Sequence, residues 1–201
     1  MAVWQSMPAQ LAKENKKFTY KNIQHGARAR EYENAIEWLL LTGLIYKINR
    51  ITKPDLHLLS YQDNSAFKLY LLDTGLLSAL SLLNAQTIID GNDIFTEFKG
   101  ALTEQFVLQE LKSNHHLPIA YWCAETGVAE IDFIVQYQQN IIPIEVKSSI
   151  NLKAKSLMSY RQKYHPHIAI RTSLAGLEIN QELHNIPLYG IGAYFQTFQA
   201  A

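Results

Sequence analysis

The chain is nearly without cysteine: Cys123 stands alone among 201 residues. One thiol excludes a disulfide framework and a cysteine-built zinc site. Net charge is missing too. Eighteen Lys and Arg balance eighteen Asp and Glu, so no global basic field points to nucleic acid. No apolar run approaches the roughly 18–20 residues that span a bilayer. Lys13, Lys16 and Lys17 follow a polar start instead of preceding an apolar run, so no signal peptide is expected. There is no Gly-Lys dipeptide, hence no G-x-x-x-x-G-K-[ST] loop and no ATP site of that kind. These absences predict a cytoplasmic protein with no membrane partner.

What is present is an ordinary globular composition, 48% hydrophobic and 18% charged. The neutral total hides an asymmetry. Residues 1–62 carry nine basic and five acidic side chains, residues 63–147 four and eleven, and residues 148–201 five and two. Either these are solvated faces, or carboxylates in the middle converge on a cation while basic flanks meet a polyanion.

Periodicity divides the chain at 83/84. In the first segment, 8–17 reads as a helix with Pro8 in its first turn. Residues 27–42 place Tyr32, Ala35, Ile36, Leu39 and Leu40 at helical spacing before Gly43. Residues 44–51 and 67–73 read as strands around a polar loop, and 74–83 as a helix capped by Thr74. Helices followed by strand, loop and strand predict a winged-helix-like segment over 1–83. Residues 84–95 read as a linker. Beyond it come a helix (95–114), strands (119–124, 129–137, 140–149), a helix ended by Pro166 (152–165), a strand (167–173) and a last strand within 185–196. Turns are expected at Gly127 and at Gln139-Asn140. The order predicts an α/β (α+β) domain over 84–201.

The chemistry lies in that second segment. Strand alternation puts Ile131, Phe133 and Val135 on one face and Glu130 and Asp132 on the other. In 142–147 it puts Glu145 and Lys147 together, opposite Ile142, Ile144 and Val146. If the two strands form a hairpin, three carboxylates and a lysine share a face. On the preceding helix Glu104 interrupts the stripe Ala101, Val107, Leu108 and Leu111, and a buried glutamate needs a partner. Four carboxylates crowded together would repel and raise one another's pKa values, and a divalent cation resolves the repulsion. Hard oxygen donors beside one lysine suit Mg²⁺ or Mn²⁺. The Glu-x-Lys triplet alone is uninformative, since the chain has four: Glu14/Lys16, Glu97/Lys99, Glu110/Lys112 and Glu145/Lys147. Only the last lies in a strand, thirteen residues after Asp132. The bland alternative is a solvated strand end or a Glu–Lys cross-strand pair.

KGALTEQFVLQEL, AEIDFIV and IIPIEVKSS resemble the three motifs of the PD-(D/E)XK nuclease superfamily. The resemblance implies a restriction-endonuclease-like domain. It makes Glu104 the helix glutamate, Asp132 the strand aspartate, and Glu145 and Lys147 the E-x-K pair. It implies a metal set of Asp132, Glu145, Glu104 and Val146, with Glu130 as a supporting acid. At 131 the chain has Ile where the name-giving motif has Pro. A wider resemblance covers SMPAQLAKENKKF, GARAREYENAIEWLLLTGLIYKI, FKLYLLDTGLL and the nuclease-like block. These segments are similar to the C-terminal region of prokaryotic AAA-type ATPases, where a winged-helix-like segment and a domain of unknown function follow the ATPase. The resemblance implies a metal-dependent phosphodiesterase acting on DNA, or a silent nuclease-fold module that serves the ATPase domain or another protein partner.

Tyr160 and Arg161 are candidates to support the site from the helix after Lys147, with core packing and solvated surface as the alternative. Lys153 and Lys155 are candidate phosphate contacts. Arg28 and Arg30, with Lys47 and Arg50, are a candidate basic face for DNA or for protein docking. His115-His116 and His165/His167 lack a third ligand at metal spacing, Cys123 reads as packing, and Tyr121, Trp122 and Phe133 read as core aromatics.

Overall fold

The computed structural model describes residues 1–83, 86, 93–113, 117–125, 129–150 and 153–199. Among these, six α-helices and eight strands alternate: α1 (Ala2–Leu11), α2 (Ala29–Leu41), β1 (Ile45–Ile51), β2 (Gln62–Leu71), α3 (Thr74–Leu80), α4 (Asp93–Ser113), β3 (Ile119–Cys123), β4 (Glu130–Tyr137), β5 (Asn140–Val146), α5 (Lys155–Tyr164), β6 (Ala169–Ser173), β7 (Glu178–Asn180), β8 (Leu183–Pro187) and α6 (Ile191–Gln199). The strands form one mixed sheet in the order β2-β1-β3-β4-β5-β6-β8-β7. The linker expected over 84–95, the turn at Gly127 and His115-His116 fall largely or wholly outside the described residues.

Two compact units emerge, Met1–Ile48 with Ala66–Phe106, and Asn49–Ser65 with Val107–Ala201. Strands β1 and β2 and helix α4 each run through both units. The unit division therefore does not follow the 83/84 boundary. The strands after α2 belong to the large sheet, because β1 pairs in parallel with β3 through Arg50–Tyr121 and Ile51–Trp122.

In the first unit α1 starts six residues earlier than expected and carries Pro8 inside it. Val3, Met7 and Leu11, one helical turn apart, are all buried, and that burial outweighs the hydrogen bond Pro8 cannot donate. Helix α1 packs on α2 and α3. Helix α2 ends where expected, with Gly43 at φ +72°. The cap of α3 is Asp73, not Thr74: its Oδ1 accepts the Leu76 N–H at 2.7 Å. On α4 the buried Gln105 reads the backbone of β2 twice, accepting from Leu71 N–H at 3.0 Å and donating to Leu71 O at 2.7 Å.

In the second unit β3, β4 and β5 form an antiparallel meander, β6 and β8 add in parallel to β5, and β7 closes the edge. Helix α5 covers one face. Leu157 and Tyr160 pack there with Ile51, Leu58, Ala120, Trp122, Ile131, Ile134 and Ala169. Residues expected to end in a strand over 185–196 instead form β8 and then α6, whose Ile191 and Phe195 are buried one turn apart.

Candidate functional site

The β4–β5 register runs from Tyr137–Asn140 to Phe133–Ile144. Phe133–Ile144 is the last pair of this ladder, and Asp132 and Glu145 stand just beyond it. On β4 the alternation is not strict. Between Ala120 and Trp122 of β3 the partner moves from Ile134 to Ile131, so β4 carries an extra residue. Ile131 thereby joins Ile134 and Trp122 on the α5 face, and the bulge sits at Asp132. Here β4 departs from β5, and the Asp132 side chain takes over the pairing. Its Oδ2 accepts the Val146 main-chain N–H at 2.8 Å.

Glu145 is 6% exposed. Its Oε1 takes the Lys147 ammonium at 2.6 Å, and Lys147 is fixed by its own N–H to Thr172 O at 2.8 Å. Asp132 thus bonds the main chain of Val146, and Glu145 and Lys147, on either side of Val146, pair with each other. Val146 turns its buried side chain to the other face, while its N–H and C=O both point toward β4. Glu130, at the head of β4, donates its N–H to Ser156 Oγ of α5 at 3.4 Å.

Sequence reasoning missed two residues of this row. Glu145 neighbours Arg171 on β6, and Arg171 neighbours Asn185 on β8. Arg171 Nε donates to Asn185 Oδ1 at 3.2 Å, and the buried Ser173 donates to the same oxygen at 3.1 Å. Asn185 Nδ2 donates to Gly176 O at 2.6 Å. Burial lowers the Arg171 pKa from its ordinary value, against an opposing pull from Glu178. The available signal was alternation: in 168–173, Ala169, Arg171 and Ser173 share a face against Ile168, Ile170 and Thr172.

Glu104 belongs to the first unit and has partners there. Lys16 Nζ lies 2.7 Å from Oε1, and Tyr70 donates its hydroxyl to Oε2 at 3.1 Å. Burial alone would raise its pKa, but the charges of Lys16 and Lys68 and these hydrogen bonds hold it below the ordinary value. The buried glutamate thus meets its need for a partner with lysines and a tyrosine. Among the described residues, no group of three or more His, Cys, Asp or Glu is arranged to hold a metal ion.

The other candidates sit as follows. Tyr160 is a core residue, edge-on to Trp122 at 5.2 Å between centroids, and burial pushes its hydroxyl far above the ordinary pKa. Arg161 pairs with Glu182 at 3.4 Å. Lys153 and Lys155 are exposed at the start of α5, and Arg28 and Arg30 are exposed at the start of α2. Lys47 lies over the Phe67 ring at 4.4 Å, and Arg50 pairs with Asp63 and reaches Cys123 Sγ at 3.5 Å. His165 is the left-handed cap of α5 at φ +46°. No helix among the described residues is long and apolar enough to cross a membrane.

Residues 1–87 match a family described as a domain of unknown function (DUF8612), and residues 99–191 match a second domain of unknown function (DUF4143). The crystal structure of protein VC1899 from Vibrio cholerae is similar at 12% identity and a TM-score of 0.34; the match covers 99% of this chain and 50% of that one. No curated protein matches the chain.

Proposed function

We propose that the second unit is a metal-dependent phosphodiesterase of the PD-(D/E)XK kind acting on DNA, in a chain similar to the C-terminal module of prokaryotic AAA-type ATPases. The observation that carries the reading is the Asp132–Val146 bond, which draws the Asp132 carboxylate across the strand gap to the stretch that bears Glu145 and Lys147. The donor set suits Mg²⁺ or Mn²⁺. Asp132, Glu145 and the Val146 carbonyl are hard oxygens, and Mg²⁺ takes one or two carboxylates and keeps several waters. When bound, such a cation activates a water and stabilises charge on a phosphodiester. Asp132 and Glu145 hold it, and the Val146 N–H fixes the rotamer of Asp132. Lys147 sits against Glu145 and, in this reading, orients the attacking water and meets the developing negative charge. Glu130 supports the head of β4. The exposed Lys153 and Lys155 are the proposed backbone contacts near the site, and Arg28 and Arg30 those of the first unit.

The test is incubation of linear duplex DNA with the chain in Mg²⁺ or Mn²⁺. Cleavage that disappears in Glu145→Gln and Lys147→Ala is the expected result.

A second reading is a catalytically silent nuclease-fold module that binds DNA, the ATPase domain or another protein. One observation favours it: Glu104, the helix acid of the resemblance, is already bound by Lys16 and Tyr70. A wild-type chain that binds but never cuts would select this reading.

A further inference from the structure

We propose that Arg171 contacts a substrate phosphate beside Asp132, Glu145 and Lys147, and that Asn185 is its positioning residue. The inference rests on the phosphodiesterase reading and names a group that neither the motifs nor the family matches point to. Three observations on the second unit carry it.

The first is register. Arg171 is the direct neighbour of Glu145 on the next strand, and neighbours in a ladder share a face. Adjacent strands lie about 4.7–4.9 Å apart, within reach of a guanidinium.

The second is the investment in its orientation. Asn185 is 2% exposed, and its three hydrogen bonds leave no freedom to flip: Oδ1 faces the donors Arg171 Nε and Ser173 Oγ, and Nδ2 faces Gly176 O. A bond to Nε sets the plane of the guanidinium. The terminal nitrogens then form a fork of fixed direction, the geometry that suits phosphate.

The third is charge. Asp132, Glu145 and Glu178, which stands opposite Asn185 on β7, outnumber Lys147 and Arg171 by one. A divalent cation on the carboxylates would leave one net positive charge, which the single negative charge of a phosphodiester neutralises.

The experiment is fluorescence anisotropy of a labelled short DNA duplex with the full chain in Ca²⁺, repeated across salt concentrations. Arg171→Ala should weaken binding about tenfold, the worth of one charge-assisted hydrogen-bond pair. It should also flatten the log–log salt slope by about 0.9, for one phosphate no longer neutralised. Arg171→Lys keeps the charge, so it should keep the slope while losing part of the affinity. Asn185→Ala should do likewise, because the fork remains but its direction is lost. A guanidinium that merely braces the sheet would move none of the slopes. An Arg171→Ala slope equal to wild type overturns the inference, as does a wild-type chain that binds no duplex. Melting curves with Mn²⁺ separate the two levels. Absence of a Mn²⁺ shift in wild type counts against the metal reading, whereas a Mn²⁺ shift that survives in Arg171→Ala beside an unchanged slope counts against Arg171 alone.

Discussion

Asp132 accepts the main-chain N–H of Val146 at 2.8 Å, a side chain standing where a neighbouring strand would otherwise supply a carbonyl. This one bond both closes the end of the β4–β5 ladder and aims a carboxylate. Removing the acceptor leaves a main-chain donor unsatisfied, so Asp132→Ala should cost about 1–3 kcal/mol. Asp132→Asn keeps an amide oxygen in place and should stay within about 1 kcal/mol of wild type. Urea unfolding of both variants measures the difference. Equal stability of Ala and Asn would contradict the role assigned to the bond.

Glu104 should matter for folding. Glu104→Gln removes the charge that Lys16 and Lys68 face, and breaking a buried pair from one side costs about 3 kcal/mol. The pH dependence has a definite sign. The folded pKa lies below the ordinary 4.5, so the carboxylate's contribution is fully present above that value and is lost as pH falls through the folded pKa. Unfolding free energies of wild type and Glu104→Gln should converge on acidification below about pH 4.5. A constant gap would mean that the lysines do not set its titration.

Tyr160 and Arg161 are neighbours in sequence and should behave oppositely. Tyr160→Ala opens a cavity among Trp122, Leu157 and Ile131 and should cost about 3–5 kcal/mol. Arg161→Ala loses only a half-exposed pair with Glu182 and should cost less than about 1 kcal/mol. Thermal denaturation distinguishes them, and similar losses would remove Tyr160 from the core.

Asp63 should titrate anomalously low. The Ser65 hydroxyl, then Arg50, hold its carboxyl down to about 2. NMR titration should place it there, and Ser65→Ala should move it upward. An ordinary value in wild type would show that neither contact persists in solution.

Much of the second unit was legible in the sequence because its signals are local. Alternation in 130–137 and 140–146 fixes the meander whatever packs on it; the turn expected at Gln139-Asn140 lies one residue earlier, at Gln138-Gln139, with Gln138 at φ +51° and Asn140 already in β5. The same alternation correctly put Glu145 beside Lys147. It failed at Ile131, because a bulge is set by the partner strand and leaves no local mark. The sequence of α6 reads equally as strand, since a short apolar run with Pro187, Gly190 and Gly192 has no decisive period. Burial of Ile191 and Phe195 decided it. Helical spacing marks Glu104 as a buried acid, but its partner Lys16 lies 88 residues away in sequence, and no spacing rule reaches that far. Arg171 and Asn185 were missed because each is an unremarkable polar residue until two strands bring them side by side.

The central claim is that Asp132 and Glu145 hold one divalent cation between them. Calorimetric titration of the chain with Mn²⁺ tests it most directly. The account predicts one bound ion in wild type and none in Glu145→Gln. Binding that persists undiminished in Glu145→Gln, or no binding in wild type, would contradict it.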